Sequence, residues 1–126
     1  MTTTPVRLFD AVGAGVQRAL DLRQVQHILS AANLANADTP GYHAREVPFA
    51  DLLGRAVDAA ENGESAAPEE EIREVDPVAW ALDGNSVSPE AEAVKLTENS
   101  LMYNALSTGM SRHLALLRFA ASNGKS

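Results

Sequence analysis

The side chains of this 126-residue chain that could do chemistry are three histidines, the triplet Glu69-Glu70-Glu71 and the string Asn36-Ala37-Asp38-Thr39. Imidazoles move protons or bind metals near neutral pH, carboxylate clusters hold divalent cations, and a hydroxyl beside a base can act as a nucleophile. Each needs partners at a set spacing, and those partners are missing. His27 and His113 fall in helical patterns and have no His, Asp or Glu three or four residues away, while His43 falls in a loop after a turn. The Glu triplet lacks the alternating oxygen ligands and the glycine of a calcium loop. Gly13-Ala14-Gly15 lies inside a helical pattern, where it reads as close helix packing, not as a phosphate loop. Thr39 has no base to activate it. No catalytic residue, metal ligand or cofactor site is predicted, and the chain does not read as an enzyme.

A better use of these polar residues lies in Ala32-Asn33-Leu34-Ala35-Asn36-Ala37-Asp38-Thr39-Pro40-Gly41-Tyr42. Asparagine competes for backbone hydrogen bonds and is a poor helix former, so two of them closing an apolar-periodic run are conspicuous. Spaced i and i+3, Asn33 and Asn36 share one helical face. Pro40 presets φ for the first central position of a turn, and Gly41 supplies the positive φ of a type II turn. Because Pro40 disfavours the α region at Thr39, the helix is expected to end near Ala37 or Asp38.

The elements that hold this turn read as helix, acidic middle, helix. Leu8, Val12, Gly15, Ala19, Leu22, Gln26, Leu29, Asn33 and Asn36 alternate steps of four and three, an a/d seam. A second seam runs through Leu96, Asn99, Tyr103, Leu106, Met110, Leu114, Leu117 and Ala121. Ser88 is placed to cap that helix, Pro89 suits its first position, and Glu90 and Glu92 suit its positive end. The expected fold is all-α: long N- and C-terminal helices packed as an antiparallel coiled-coil-like hairpin. Three segments are expected: 1–53 with the first helix and turn, 54–81 as a flexible acidic middle, and 82–126 with the second helix. Within the middle, residues 54–71 read as a short helical tail and linker. Ile72–Val75 and Trp80–Leu82 are β-capable, suiting a small hairpin or an extended arm.

Charge separates the same three parts. Residues 1–50 carry four acids and four bases, residues 51–98 thirteen acids and three bases, and residues 99–126 three bases alone, which sums to −7. This balance argues against nucleic-acid binding, which needs clustered Lys and Arg. No apolar run is long enough to span a membrane. The first residues lack the basic and apolar regions of a cleavable signal peptide. The absence of cysteine rules out disulfides. Apolar residues make up 45% but aromatics only 5%, a composition suited to close packing of thin helices. Leu20, Ile28, Leu34, Val94, Leu101 and Leu116 fall off the seams, so each helix has a further apolar face, and such faces mark interfaces.

From Asn33 to Tyr42 the chain resembles the N-terminal signature of the bacterial flagellar rod and hook protein family, Asn-x-Ala-Asn-x-x-Thr-Pro-Gly-Tyr. Residues 44–53 and the block Leu82-Asp83-Gly84-Asn85-Ser86-Val87 with Glu98, Asn99 and Tyr103 are similar to the proximal rod subunit of that family. The resemblance implies a structural, self-assembling subunit of the hollow axle of the flagellar basal body, which transmits torque and conducts exported subunits. It also implies export from the cytoplasm by the flagellar type III apparatus without signal cleavage, to a periplasmic rod. Implied partners are further copies, other rod subunits and the membrane-ring adaptor at the rod base, with no nucleic acid and no small-molecule substrate. On this reading Asn33, Asn36, Thr39, Pro40, Gly41 and Tyr42 form the assembly turn. Leu22, Leu29, Asn99, Tyr103, Leu106, Met110 and Leu114 form the packing seam. Another short proximal rod subunit is the nearest alternative within the family, and periodicity alone also suits a soluble helical-hairpin adaptor or export chaperone.

Overall fold

The computed structural model describes residues 5–64, 72–76 and 84–122. Helix α1 runs from Pro5 to Ala35 and helix α3 from Pro89 to Ala121, 31 and 33 residues. They lie antiparallel: Phe9 meets His113, Arg23 meets Asn99, and Asn36 meets Asn85. Between them come strand β1 (Arg45–Glu46), helix α2 (Phe49–Glu61) and strand β2 (Arg73–Glu74).

Helix α2 is the largest departure from the sequence expectation. The boundary drawn at 53/54 falls inside it, and the short helical tail is a full 13-residue helix packed on α1. Phe49, Leu52, Leu53, Ala56, Val57 and Ala60 step by 3, 1, 3, 1 and 3, which lines one face of a 3.6-residue helix. Val57 lies against α1, where a Cβ built on Gly15 would come within 3.2 Å of its Cγ2.

The short sheet also has a different partner from the one expected. Arg73 and Glu74 pair antiparallel with Glu46 and Arg45, on the far side of α2. Trp80–Leu82, the other half of the expected hairpin, lies outside the described residues. Val75 N–H extends the ladder by donating to Ala44 C=O at 2.7 Å.

Among the described residues, the buried apolar cluster is Leu22, Leu29, Val47 and Leu52, with Val25, Phe49 and Leu53 packed around it. All seven come from α1, α2 and the segment between them. The fully buried positions of α3 are instead Glu92 and Asn99. The long helices therefore touch through a polar and partly apolar seam, while the dry core sits between α1, α2 and the segment that joins them. Each buried leucine or valine side chain contributes roughly 1.5–3 kcal/mol, so the α1–α2 unit holds most of the apolar stabilisation.

Candidate functional site

The asparagine turn is built by side-chain amides that stand in for missing backbone partners. Asn33, 1% exposed on the inner face of α1, donates from Nδ2 to Arg45 C=O at 2.8 Å. Its Oδ1 accepts from Arg45 N–H at 2.9 Å and from the Tyr42 hydroxyl at 3.3 Å. One carboxamide thus pairs with Arg45 as a neighbouring strand would. Two turns earlier, Gln26 Oε1 accepts from Val47 N–H at 3.0 Å, while its Nε2 donates to the buried Ser30 hydroxyl at 2.9 Å. Two polar seam residues of α1 therefore dock the strand that returns after the turn.

Helix α1 ends at Ala35, a little before the expected Ala37 or Asp38. The chain tightens there into i→i+3 bonds, with Ala37 N–H donating to Leu34 C=O and Thr39 N–H to Asn36 C=O. Tyr42 N–H donates to Thr39 C=O at 3.2 Å and Gly41 has φ of +73°, the features of a type II turn. Asn36 Nδ2 donates back to Ala32 C=O, and its Oδ1 accepts from the Thr39 hydroxyl. Thr39, Pro40 and Gly41 lie at the surface, Tyr42 half-buried beneath them.

The turn after α1 is tied down by a residue that the sequence placed only within the block resembling the proximal rod subunit. Asn85, 7% exposed, directs Nδ2 to the carbonyls of Asn36, Ala37 and Thr39 at 3.0, 2.9 and 2.7 Å. These carbonyls belong to the turn that follows α1, so this amide ties the loop before α3 to that turn. Ser86 adds two bonds to the returning chain: its N–H donates to Tyr42 C=O, and its Oγ accepts from Ala44 N–H. Asn85 Oδ1 accepts from Val87 N–H at 2.7 Å, and Ser88 caps α3 by accepting from Ala91 N–H. The start of α3 is thereby tied to the end of α1. Gly84 has a positive φ of +69°, and a Cβ built on it would lie 3.7 Å from Gly41 Cα.

No family profile matches the chain. Individual proteins do. The flagellar basal body rod protein FlgB of Cereibacter sphaeroides is 35% identical over 122 residues, 88% of this chain and 93% of that protein. FlgB of Escherichia coli (strain K12) is 34% identical over 104 residues, covering 69% and 75%. FlgB of Yersinia ruckeri is 36% identical over 105 residues, covering 69% and 76%. The chain belongs to the flagellar basal body rod protein FlgB family.

In this FlgB-family chain the expected packing seam is unequally buried. Leu22 and Leu29 are 0% and 6% exposed, but in the core shared with α2. Asn99 faces α1, donating from Nδ2 to Arg23 C=O at 2.6 Å. Leu106 and Met110 are half-buried, Tyr103 is 40% exposed and Leu114 45%. Toward the end of α3 the inward position passes from Leu114 to His113, whose ring stacks on Phe9 at 5.7 Å. The start of α1 behaves likewise: Ala11 is buried, while Leu8 and Val12 are exposed. A straight 3.6-residue helix drifts from a strict heptad, and the drift appears at the ends of the pair.

Most bonds of the site run from side-chain amides and hydroxyls to backbone N–H and C=O groups. Among the described residues no three His, Asp or Glu side chains group closely enough to hold a metal ion. Likewise no helix is long and apolar enough to cross a membrane.

Proposed function

We propose that this FlgB-family chain is a non-enzymatic structural subunit of the proximal rod, polymerising into the hollow axle that transmits torque and conducts exported subunits. Its place is the periplasmic rod, reached through the flagellar type III apparatus without signal cleavage. Its neighbours are further copies, other rod subunits and the membrane-ring adaptor at the rod base.

The observation that carries this reading beyond family membership is the outer face of α3. Val94, Leu101, Leu116 and Phe119 are 56%, 65%, 59% and 57% exposed and lie opposite the side that meets α1. Exposed apolar residues recurring along one face of a long helix mark a contact surface. Contacts that join different faces of like subunits build a tube rather than a closed oligomer. The amide-clamped turn fixes where the chain leaves this surface, so every subunit presents it alike.

The experiment is gene deletion followed by electron microscopy of isolated basal bodies. Membrane rings without rods, restored by the wild-type gene, support the reading. Complete rods in the deletion strain overturn it.

A further inference from the structure

A groove of about 260 Å³ opens between α2 and the first half of α1. Its lining includes Leu8 and Val12 of α1, Leu53, Val57 and Glu61 of α2, and Leu106 of α3. Leu8 and Val12 are 53% and 48% exposed, so the single chain leaves much of this apolar surface in water. Among the described residues Glu61 is the one ionisable group in a lining otherwise made of Leu, Val, Ala and Gly, and it is exposed. An apolar groove with an acid at its rim suits an amphipathic helix that carries a cation beside its apolar anchors.

The same chain carries such a helix. Leu101, Ala105, Gly109, Arg112, Leu116 and Phe119 of α3 step by 4, 4, 3, 4 and 3, so they share one face, and all six are exposed. The face is shallowest at its centre, where a Cβ on Gly109 would meet nothing within 4 Å and a neighbouring backbone can come close. Its charge is Arg112. From Asn99 to Ser126 the chain has no acid at all, whereas α2 carries Asp51, Asp58 and Glu61 against Arg55. Face and groove therefore match in both apolarity and charge. They cannot meet within one chain, because α3 reaches the groove through Leu106 and none of the six face residues lines it.

We propose that the α3 face of one chain seats in the α1–α2 groove of a second copy, with Arg112 against Glu61. Each copy in such a contact keeps one free face and one free groove, so the next copy adds in the same way. Only the use of this contact inside a rod rests on the rod reading; the contact between copies does not.

The chain has no cysteine, so an introduced thiol reports one contact. Full-length Glu61→Cys and Arg112→Cys chains are mixed and oxidised. The mixed disulfide is expected to exceed either homodimer about tenfold, because face meets groove and not itself. In sedimentation, Glu61→Arg and Arg112→Glu are each expected to weaken self-association of the full chain about tenfold, and the double variant to recover it to within about threefold of wild type. Both side chains are exposed, and the circular dichroism spectra are expected to stay unchanged. A wild-type chain that stays monomeric, equal yields of the three disulfides, no mixed disulfide, or a double variant no better than the single ones overturns the contact. If the charge swap restores association while deletion of the gene leaves rods complete, the rod reading fails and the contact stands.

Discussion

The carboxamide of Asn33 holds both backbone polar groups of Arg45, the C=O at 2.8 Å and the N–H at 2.9 Å. A residue inside a helix thereby serves as the strand partner of a residue twelve positions later. The sharp reversal at Thr39-Pro40-Gly41-Tyr42 feeds that pairing, and the pairing fixes the angle at which the chain returns.

Replacing Asn33 by Leu strands the Arg45 N–H and C=O and removes the acceptor for Tyr42. With about 1–3 kcal/mol for each unsatisfied buried group, the expected loss is about 2–4 kcal/mol in urea denaturation. Asn33→Asp keeps the acceptor but not the donor, and buries a charge; it is expected to be no better than Leu. Loss below about 0.5 kcal/mol in both would mean the clamp is dispensable.

Asn85→Ala removes the donor that ties the loop before α3 to the three carbonyls of the turn after α1. The expected destabilisation is about 1–2 kcal/mol, within the range for a lost buried hydrogen bond. Asn33 and Asn85 secure the same turn, so a double-mutant cycle is expected to show coupling above about 0.5 kcal/mol. Strict additivity would place them in independent units.

At Gly41 a Cβ would meet nothing within 4 Å, so only the backbone conformation, with φ of +73°, resists substitution. Gly41→Val is expected to cost about 1–2 kcal/mol, and Gly41→Asn clearly less because asparagine tolerates that region. Equal losses would show that the side chain itself is excluded.

Gly54 and Gly109 present the opposite case. Both lie inside helices, have ordinary negative φ and open space around the Cβ position. Gly54→Ala and Gly109→Ala are each expected to stabilise the chain by about 0.5–1 kcal/mol. A fall in melting temperature would reveal a contact at these positions that the isolated subunit does not make.

Much of this architecture is legible in the chain, for identifiable reasons. The heptad steps locate both long helices, since the 3.6-residue period constrains them over many turns. Pro40 and Gly41 specify their turn because each restricts φ on its own. Helix α2 is harder to read: alanines at positions 56, 59 and 60 blur its apolar stripe, and nearby acids and glycine mimic a linker. The role of Asn85 depends on a contact 46–49 residues away, which no local pattern encodes. Strand β2 is visible as β-capable, but its partner is chosen by the packing of α2. Gln26, Asn33 and Asn99 stand out as polar positions in apolar seams, but their tasks depend on distant partners: Gln26 and Asn33 hold the returning strand, and Asn99 bonds the backbone of α1.

We propose that the asparagine turn is what lets this chain build a rod. Its most direct test is electron microscopy of basal bodies from cells in which Asn36→Leu or Gly41→Val replaces the wild-type gene. A local defect recurs at every subunit of a polymer, so both variants are expected to be made and exported while basal bodies carry rings without rods. Rods of normal length and wild-type swimming in both strains would contradict it.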